Sequence, residues 1–82
     1  MEFTVRNLSV LAYAQGFTLW HYRAPNVRLA VLEKLGFFNN AADMFAQGDM
    51  LMMSGCDGGR VAFVAAAKNS FAQNSVTLAA LA

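Results

Sequence analysis

From residue 3 to residue 23 the chain is rich in β-branched and aromatic side chains, and Gly16 divides it into two runs of strand length. Strands are predicted over residues 3–13 and 16–23. In the second run, FTLWHYR, Phe17, Leu19 and His21 fall on one face and Thr18, Trp20 and Tyr22 on the other, because side chains alternate across a strand. Both faces carry bulk. A strand with one face in water shows apolar residues alternating with polar ones, so this run predicts cover on both sides, one cover being a neighbouring subunit.

Ala24-Pro25-Asn26 ends the pattern, since proline fixes φ and donates no backbone hydrogen bond. Apolar residues at 27, 30, 31 and 35 then recur at helical spacing, with Lys34 suited to the carbonyl end of the dipole and Gly36 to the position just past it. A helix of one to three turns is predicted over residues 27–35. Phe37 to Gln47 predicts a second short helical turn, with Asn39 or Asn40 as N-cap, Phe38, Ala42 and Phe45 on one side, and Gly48 as its end. Asp49 to Ser54 and Arg60 to Ala67 are apolar runs joined by Gly55-Cys56-Asp57-Gly58-Gly59. The Asp-Gly step predicts a hairpin in which Gly58 takes a positive φ. After a polar turn at 69–75, residues 76–81 read as a last strand. The fold class expected is therefore mainly β: one small domain over residues 1–82 with one or two short helical turns.

Composition turns this picture towards association. A domain of 82 residues buries only about 60% of the surface its unfolded chain exposes, and domains this small usually add disulfides, a metal or oligomerisation. Cys56 is the single cysteine, so no intrachain disulfide forms, and with His21 as the single histidine the four Cys or His ligands of a structural zinc are lacking. Hydrophobic residues make up 57% of the chain and charged ones only 13%, against roughly 25% charged in an ordinary soluble domain. That surplus of apolar surface predicts a homo-oligomer.

Net charge is +1, and Arg6, Arg23, Arg28, Lys34, Arg60 and Lys68 are scattered, which gives no stripe for a phosphate backbone; no nucleic-acid partner is expected. Glu2, Arg6 and Asn7 interrupt the opening residues, so no export signal is read. Polar residues break the apolar region after Val61 well short of the roughly 20 residues of a membrane span, so no membrane partner is expected.

Candidate chemistry is thin. Cys56 and His21 are the residue types of a nucleophile and its base, but a lone Cys and a lone His without a surrounding motif arise often by chance. Asp43, Asp49 and Asp57 offer oxygens but lack the alternating spacing and closing Glu of a calcium loop; turn and strand-start roles suit them better. The glycine-rich segment at 55–59 lacks the lysine and the following helix of a phosphate loop. Met50, Met52 and Met53, with Met44 nearby, are adaptable side chains that serve more often as core or subunit interface than as a ligand surface. Trp20 and Tyr22 share a strand face and are equipped to stack a sugar or base, with interface packing the more common use. No catalytic residue, metal site or cofactor is assigned. The residues expected in the core or between copies are Trp20, Tyr22, Phe37, Phe38, Met50, Met52 and Met53. Those expected to shape turns are Gly36, Asn39, Asp43, Gly48, Asp49, Asp57 and Gly58, with Asn39 and Asp43 bonding the backbone between Gly36 and Gly48.

Phe17 to Arg23 (FTLWHYR) and Gly36 to Asp49 (GFFNNAADMFAQGD), followed by a hydrophobic strand and an Asp-Gly hairpin, resemble small capsid decoration and head-fibre proteins of tailed bacteriophages and prophages. The resemblance rests on Gly36, Phe37, Phe38, Asn39, Ala41, Ala42, Asp43, Met44, Gly48 and Asp49. It implies a β module that assembles as a trimer on the outer surface of a capsid. Its partners would be further copies of itself and the major capsid protein, in a virion assembled in the host bacterial cytoplasm. It also implies a structural function and no enzymatic one. An attachment module of a phage fibre, a small-ligand module using the Met and aromatic surface, and an enzyme using Cys56 and His21 are the competing readings.

Overall fold

A computed structural model describes residues 3–34, 36–69 and 74–80. The protein is mainly β, and among the described residues it forms a five-stranded mixed sheet with one short α-helix and two 3-10 turns. The strands are β1 (Leu8–Ala14), β2 (Phe17–Arg23), β3 (Met50–Gly55), β4 (Gly58–Asn69) and β5 (Asn74–Ala80), and they lie in the sheet in chain order. All neighbours are antiparallel except β2 and β3, which run parallel. A parallel pair needs a crossover of a dozen or more residues. Residues 24–49 supply it, carrying the helix α1 (Leu29–Leu32) and a 3-10 turn at Asn39–Ala41.

The β1–β2 connection is a two-residue turn, Gln15-Gly16, with Ala14 paired to Phe17. Both turn residues have positive φ, 50° and 87°, the double-positive geometry that matches the twist of a hairpin. Gly16 adopts it freely, whereas Gln15 pays a steric penalty in the left-handed region. The first strand is shorter than the predicted 3–13. Residues 5–7 form a 3-10 turn instead, because Phe3 is drawn onto the sheet to stack on Tyr22 and the Thr4 N–H donates to the Tyr22 hydroxyl at 3.0 Å.

The predicted hairpin after residue 49 is present with a tighter turn. Gly55 pairs with Gly58, so Cys56 and Asp57 alone turn the chain, and both have negative φ. Gly58 has the positive φ expected of it, at +146°, but as the first residue of β4 and not within the turn, where it was expected. The Asp57 side chain is engaged elsewhere: its Oδ1 accepts from the Leu29 N–H at 2.9 Å, at the start of α1. The Cys56 N–H meanwhile donates to the Val27 carbonyl at 2.8 Å. This docking brings a Cβ built on Gly55 to 2.7 Å from the Val27 carbonyl oxygen and 3.0 Å from the Leu29 nitrogen, so glycine there is a requirement of close approach.

The predicted helix over 27–35 reduces to Leu29–Leu32, one turn, since residues 24–27 form a turn of their own, closed by the Val27 N–H on the Ala24 carbonyl at 3.1 Å, that packs on the β3–β4 turn; Leu35 lies outside the described residues. The second helical turn begins after Phe38, with neither Asn39 nor Asn40 as its cap. Asn39 instead faces the sheet, its Oδ1 accepting the Val76 N–H at 2.9 Å. Gly36 and Gly48 bracket this segment at φ +92° and +94°. The last strand starts at Asn74, two residues ahead of the sequence expectation, and most of the predicted turn at 69–75 lies outside the described residues.

The crossover covers one face of the sheet. Tyr22, Leu51, Met53, Val64 and Val76 point into that layer, meeting Val27, Leu32, Phe38, Ala41, Ala42 and Phe45 from the crossover. Its centre is aromatic: Tyr22 contacts Phe3, Phe37 and Phe38, and Trp20 meets Phe45 edge-on at a centroid distance of 5.2 Å.

Two substitutions test these backbone assignments. Gln15→Asn places a residue tolerant of the left-handed region in the turn and should raise stability by about 0.5 kcal/mol; a urea midpoint that does not rise argues against the turn geometry. Gly55→Ala forces the β3–β4 turn off the Val27–Leu29 backbone and should cost about 2 kcal/mol or more, read as a lowered midpoint at unchanged slope.

Candidate interaction surface and its Asp49 anchor

Because side chains alternate, the residues of β2, β3 and β4 that do not enter the core form a second sheet face. Pairing register aligns Ala12, Leu19, Met50, Phe63 and Ala79 in one row across all five strands, and Ser9, His21, Met52 and Val61 in the next. Leu19, Met50, Val61 and Phe63 are half-buried by their neighbours, and Met52 and Phe17 are exposed. No described element lies over this face. It is apolar along its middle. Its charged residues, Arg23 and Lys68, sit at opposite ends, since Arg23 pairs with Ser54 near one turn and Lys68 with Ser75 at the far end of β4. Within the face the His21 ring nitrogen Nε2 lies 2.8 Å from Ser54 Oγ. On an open sheet surface that pair is a cross-strand hydrogen bond.

What fixes this face is a buried carboxylate. Asp49, only 3% exposed, receives three N–H groups, each at 3.0 Å: the Thr18 backbone on Oδ1, and the Trp20 indole and Ala46 backbone on Oδ2. Its own carbonyl accepts the Val64 N–H at 2.7 Å, and the neighbouring Gly48 N–H donates to the Val64 carbonyl at 2.8 Å. A carboxylate without water needs such donors, and three of them make the burial tolerable. The result ties β2 and the end of the crossover to the Asp49 side chain and β4 to its backbone, and so sets which residues of β2 and β3 face outward.

The predicted site residues divide accordingly. Trp20, Tyr22, Phe38 and Met53 are buried core and Phe37 is half-buried at its edge. Met50 and Met52 alternate with them onto the open face. Trp20 and Tyr22 are therefore closed to stacking a sugar or base. Of the turn residues, Gly36, Asn39, Gly48, Asp49 and Asp57 hold the backbone as described above, and Gly58 opens β4. Asp43 differs: it is exposed and, among the described residues, makes no hydrogen bond to the turn, because Asp49 has taken the turn's free N–H at Ala46. Cys56 is exposed in its turn, and His21 bonds Ser54 rather than approaching it. Among the described residues no three His, Cys, Asp or Glu side chains come together in a metal-binding group, and no helix is long and apolar enough to cross a membrane.

A cleft between the crossover and β5, lined by Glu33, Lys34, Phe37, Val76 and Leu78 among others, has a volume of about 90 Å³. Ligand pockets run to roughly 300–1,000 Å³, so this cleft falls below that range.

Comparison with protein-family models, curated proteins and solved structures finds no match to this chain.

Replacing Asp49 separates its geometry from its volume. Asp49→Ala strands three N–H groups and should destabilise by about 3–5 kcal/mol, whereas Asp49→Asn keeps one oxygen acceptor and should cost less, about 1–3 kcal/mol. Equal unfolding midpoints for the two variants would sink the claim that the carboxylate oxygens organise the sheet.

Proposed function

We propose that this chain is a structural subunit that associates with copies of itself and decorates the outer surface of a bacteriophage capsid, as a cement or head-fibre protein. The observation carrying the self-association is the second sheet face: an apolar middle with charge only at its ends, over a protomer whose own core occupies just one side. The resemblance of Gly36–Asp49 to decoration proteins supplies the capsid. In support, that segment forms one structural unit, the latter part of the crossover, bracketed by two positive-φ glycines and locked to the sheet by Asn39 on β5 and by Asp49 on β2.

Mechanism in such a protein is packing. Each contact with the shell is weak, and an oligomer that reaches several equivalent sites gains a high effective concentration, in the millimolar range (~mM), at the second and third. An attachment module of a fibre is the second reading, and it shares the same self-association.

Purified protein mixed with undecorated particles should co-sediment at a fixed number of copies per particle. A variant confined to the open face, Met52→Glu, should lose most of that binding while each protomer stays folded. Trp20 does not serve this purpose, because it is core and hydrogen-bonded to Asp49. No binding by the unaltered protein to its cognate particle would overturn the proposal.

A further inference from the structure

Scattered along the sequence, the arginines are gathered by the fold. β1 begins, β2 ends, β3 ends and β4 begins at the same end of the sheet, because Leu8 pairs with Tyr22, Arg23 with Ser54 and Gly55 with Gly58. Arg23 closes β2 there, and Arg60 follows the β3–β4 turn, opposite Met53. Arg28 sits just before α1, where the backbone of residues 27–29 packs on Gly55, and Arg6 lies in the 3-10 turn that leads into β1. All four arginines of the chain are thus at one end, and all four are exposed. By register Arg23 falls on the open face with His21 and Arg60 on the crossover face with Met53, so the arginines frame the Cys56-Asp57 turn from both sides of the sheet. From β1 to β4 is three strand spacings, about 14 Å, which lets one partner surface meet them together.

The acids at this end are already committed. Glu33 pairs with Arg60 at 2.9 Å, and Asp57 accepts the Leu29 N–H. Among the described residues Arg6, Arg23 and Arg28 have no acidic partner; the remaining described acids are Asp43, in the later part of the crossover, and Asp49, buried at the opposite end where β3 begins. The lysines lie elsewhere, Lys34 against β5 and Lys68 at the far end of β4.

We infer that this end of the sheet is a docking surface for the carboxylates of an acidic protein surface, separate from the open face. On the capsid reading above, on which the identity of the partner rests, it is the end that meets the shell. Guanidinium presents a planar fork that matches a carboxylate through two parallel hydrogen bonds, where lysine offers a point charge. Arginine is also the cation enriched in protein interfaces, whereas lysine is depleted there. A nucleic acid fits less well. Tyr13 and Phe17, the exposed aromatic residues among those described, flank the Gln15-Gly16 turn at the opposite end, so neither stands beside the arginines to stack a base. Glu33 and Asp57 would oppose a phosphate backbone, whereas a protein surface carries cations to answer them. A cluster of one sign also steers encounter with its partner, an effect that salt removes.

Cys56, exposed in the turn that the arginines frame, gives a test that needs no capsid. Dithiobis(nitrobenzoic acid), a dicarboxylate, and dithiodipyridine, which is uncharged, both react with a thiolate, each transferring one half to Sγ and releasing the other as a thiolate. The ratio of their rates cancels the ionisation of Cys56 itself. Relative to a small neutral thiol, that ratio should favour the dicarboxylate about tenfold at low salt and lose the preference in about 1 M salt, where charges are screened beyond roughly 3 Å. Arg23→Gln with Arg28→Gln should remove most of the preference, and Lys34→Gln with Lys68→Gln, an equal loss of charge, should keep it, with circular dichroism confirming each fold. Poly-L-glutamate should shift the amides of residues 23–28 and 54–60, spare the Gln15-Gly16 turn, and act at lower concentration than duplex DNA of equal charge. A ratio matching the neutral thiol's, equal losses in the two double variants, or tighter binding of DNA would overturn the inference, and the salt dependence of the unaltered protein decides where a variant unfolds. On undecorated particles the arginine variant should bind about tenfold more weakly, and undiminished binding would overturn the docking role. Failure of the unaltered protein to bind particles would remove the capsid proposal and leave the carboxylate preference standing on the first two measurements.

Discussion

The Asp49 carboxylate is the constraint on which the rest of the structure depends. A parallel β2–β3 pair brings together strands separated by the whole crossover, with no tight turn to set their register. One side chain sets it here by accepting from the Thr18 backbone and the Trp20 indole on β2 while its own backbone is held by Val64 on β4. A shift of one residue would send every outward side chain of a strand inward. It would also leave a buried carboxylate and an indole N–H without partners, which adds a penalty of several kcal/mol to the hydrophobic one. Polar burial here works as a register pin.

The same anchor explains how so short a chain builds a two-layer core. The crossover has only one turn of α-helix and one of 3-10, and neither would persist alone. They are held at both ends by the sheet: Asp57 and the Val27 carbonyl join α1 to the β3–β4 turn, Asn39 joins the second turn to β5, and Ala46 joins the end of the crossover to Asp49. Between these ties the aromatic side chains fill the layer. The Arg60–Glu33 ion pair across the same junction is solvent-exposed and contributes little beside them.

Much of the strand content was legible because it is local. Gly16 between two apolar runs and Asp57-Gly58 after a third are short-range signals, and the alternation in FTLWHYR correctly placed Trp20 and Tyr22 on one face. Gly36 and Gly48 were legible as chain reversals for the same reason. What lay beyond the sequence was distant pairing. Asp43 and Asp49 are both acids close to a glycine, and only the approach of β2 decides that Asp49 is the buried one. Gly55 looks like a loop glycine until the Val27–Leu29 backbone is packed on it, and Asp57 looks like a turn residue until its carboxylate reaches Leu29. Bulk on both faces of β2 was legible as a demand for two covers, but the crossover as the first of them depended on the parallel pairing.

The described residues cover one face of the sheet and leave the other apolar along its middle, so the hydrophobic surface of this chain exceeds what its core takes up. Within the protomer, the aromatic layer and the Asp49 contacts favour one arrangement, and a subunit of 82 residues gains modest stability from such a core. Among the described residues nothing covers the second face, and under the proposed self-association a partner that binds the folded state alone would stabilise it by mass action. On that proposal, stability would rise with the protein's own concentration, and a repetitive shell, where local concentration is set by geometry, would be the setting that favours it most. The register that Asp49 fixes is also what aligns Leu19, Met50 and Phe63 in one row across the open face, so under the proposed self-association one buried carboxylate would shape both the core and the contact surface.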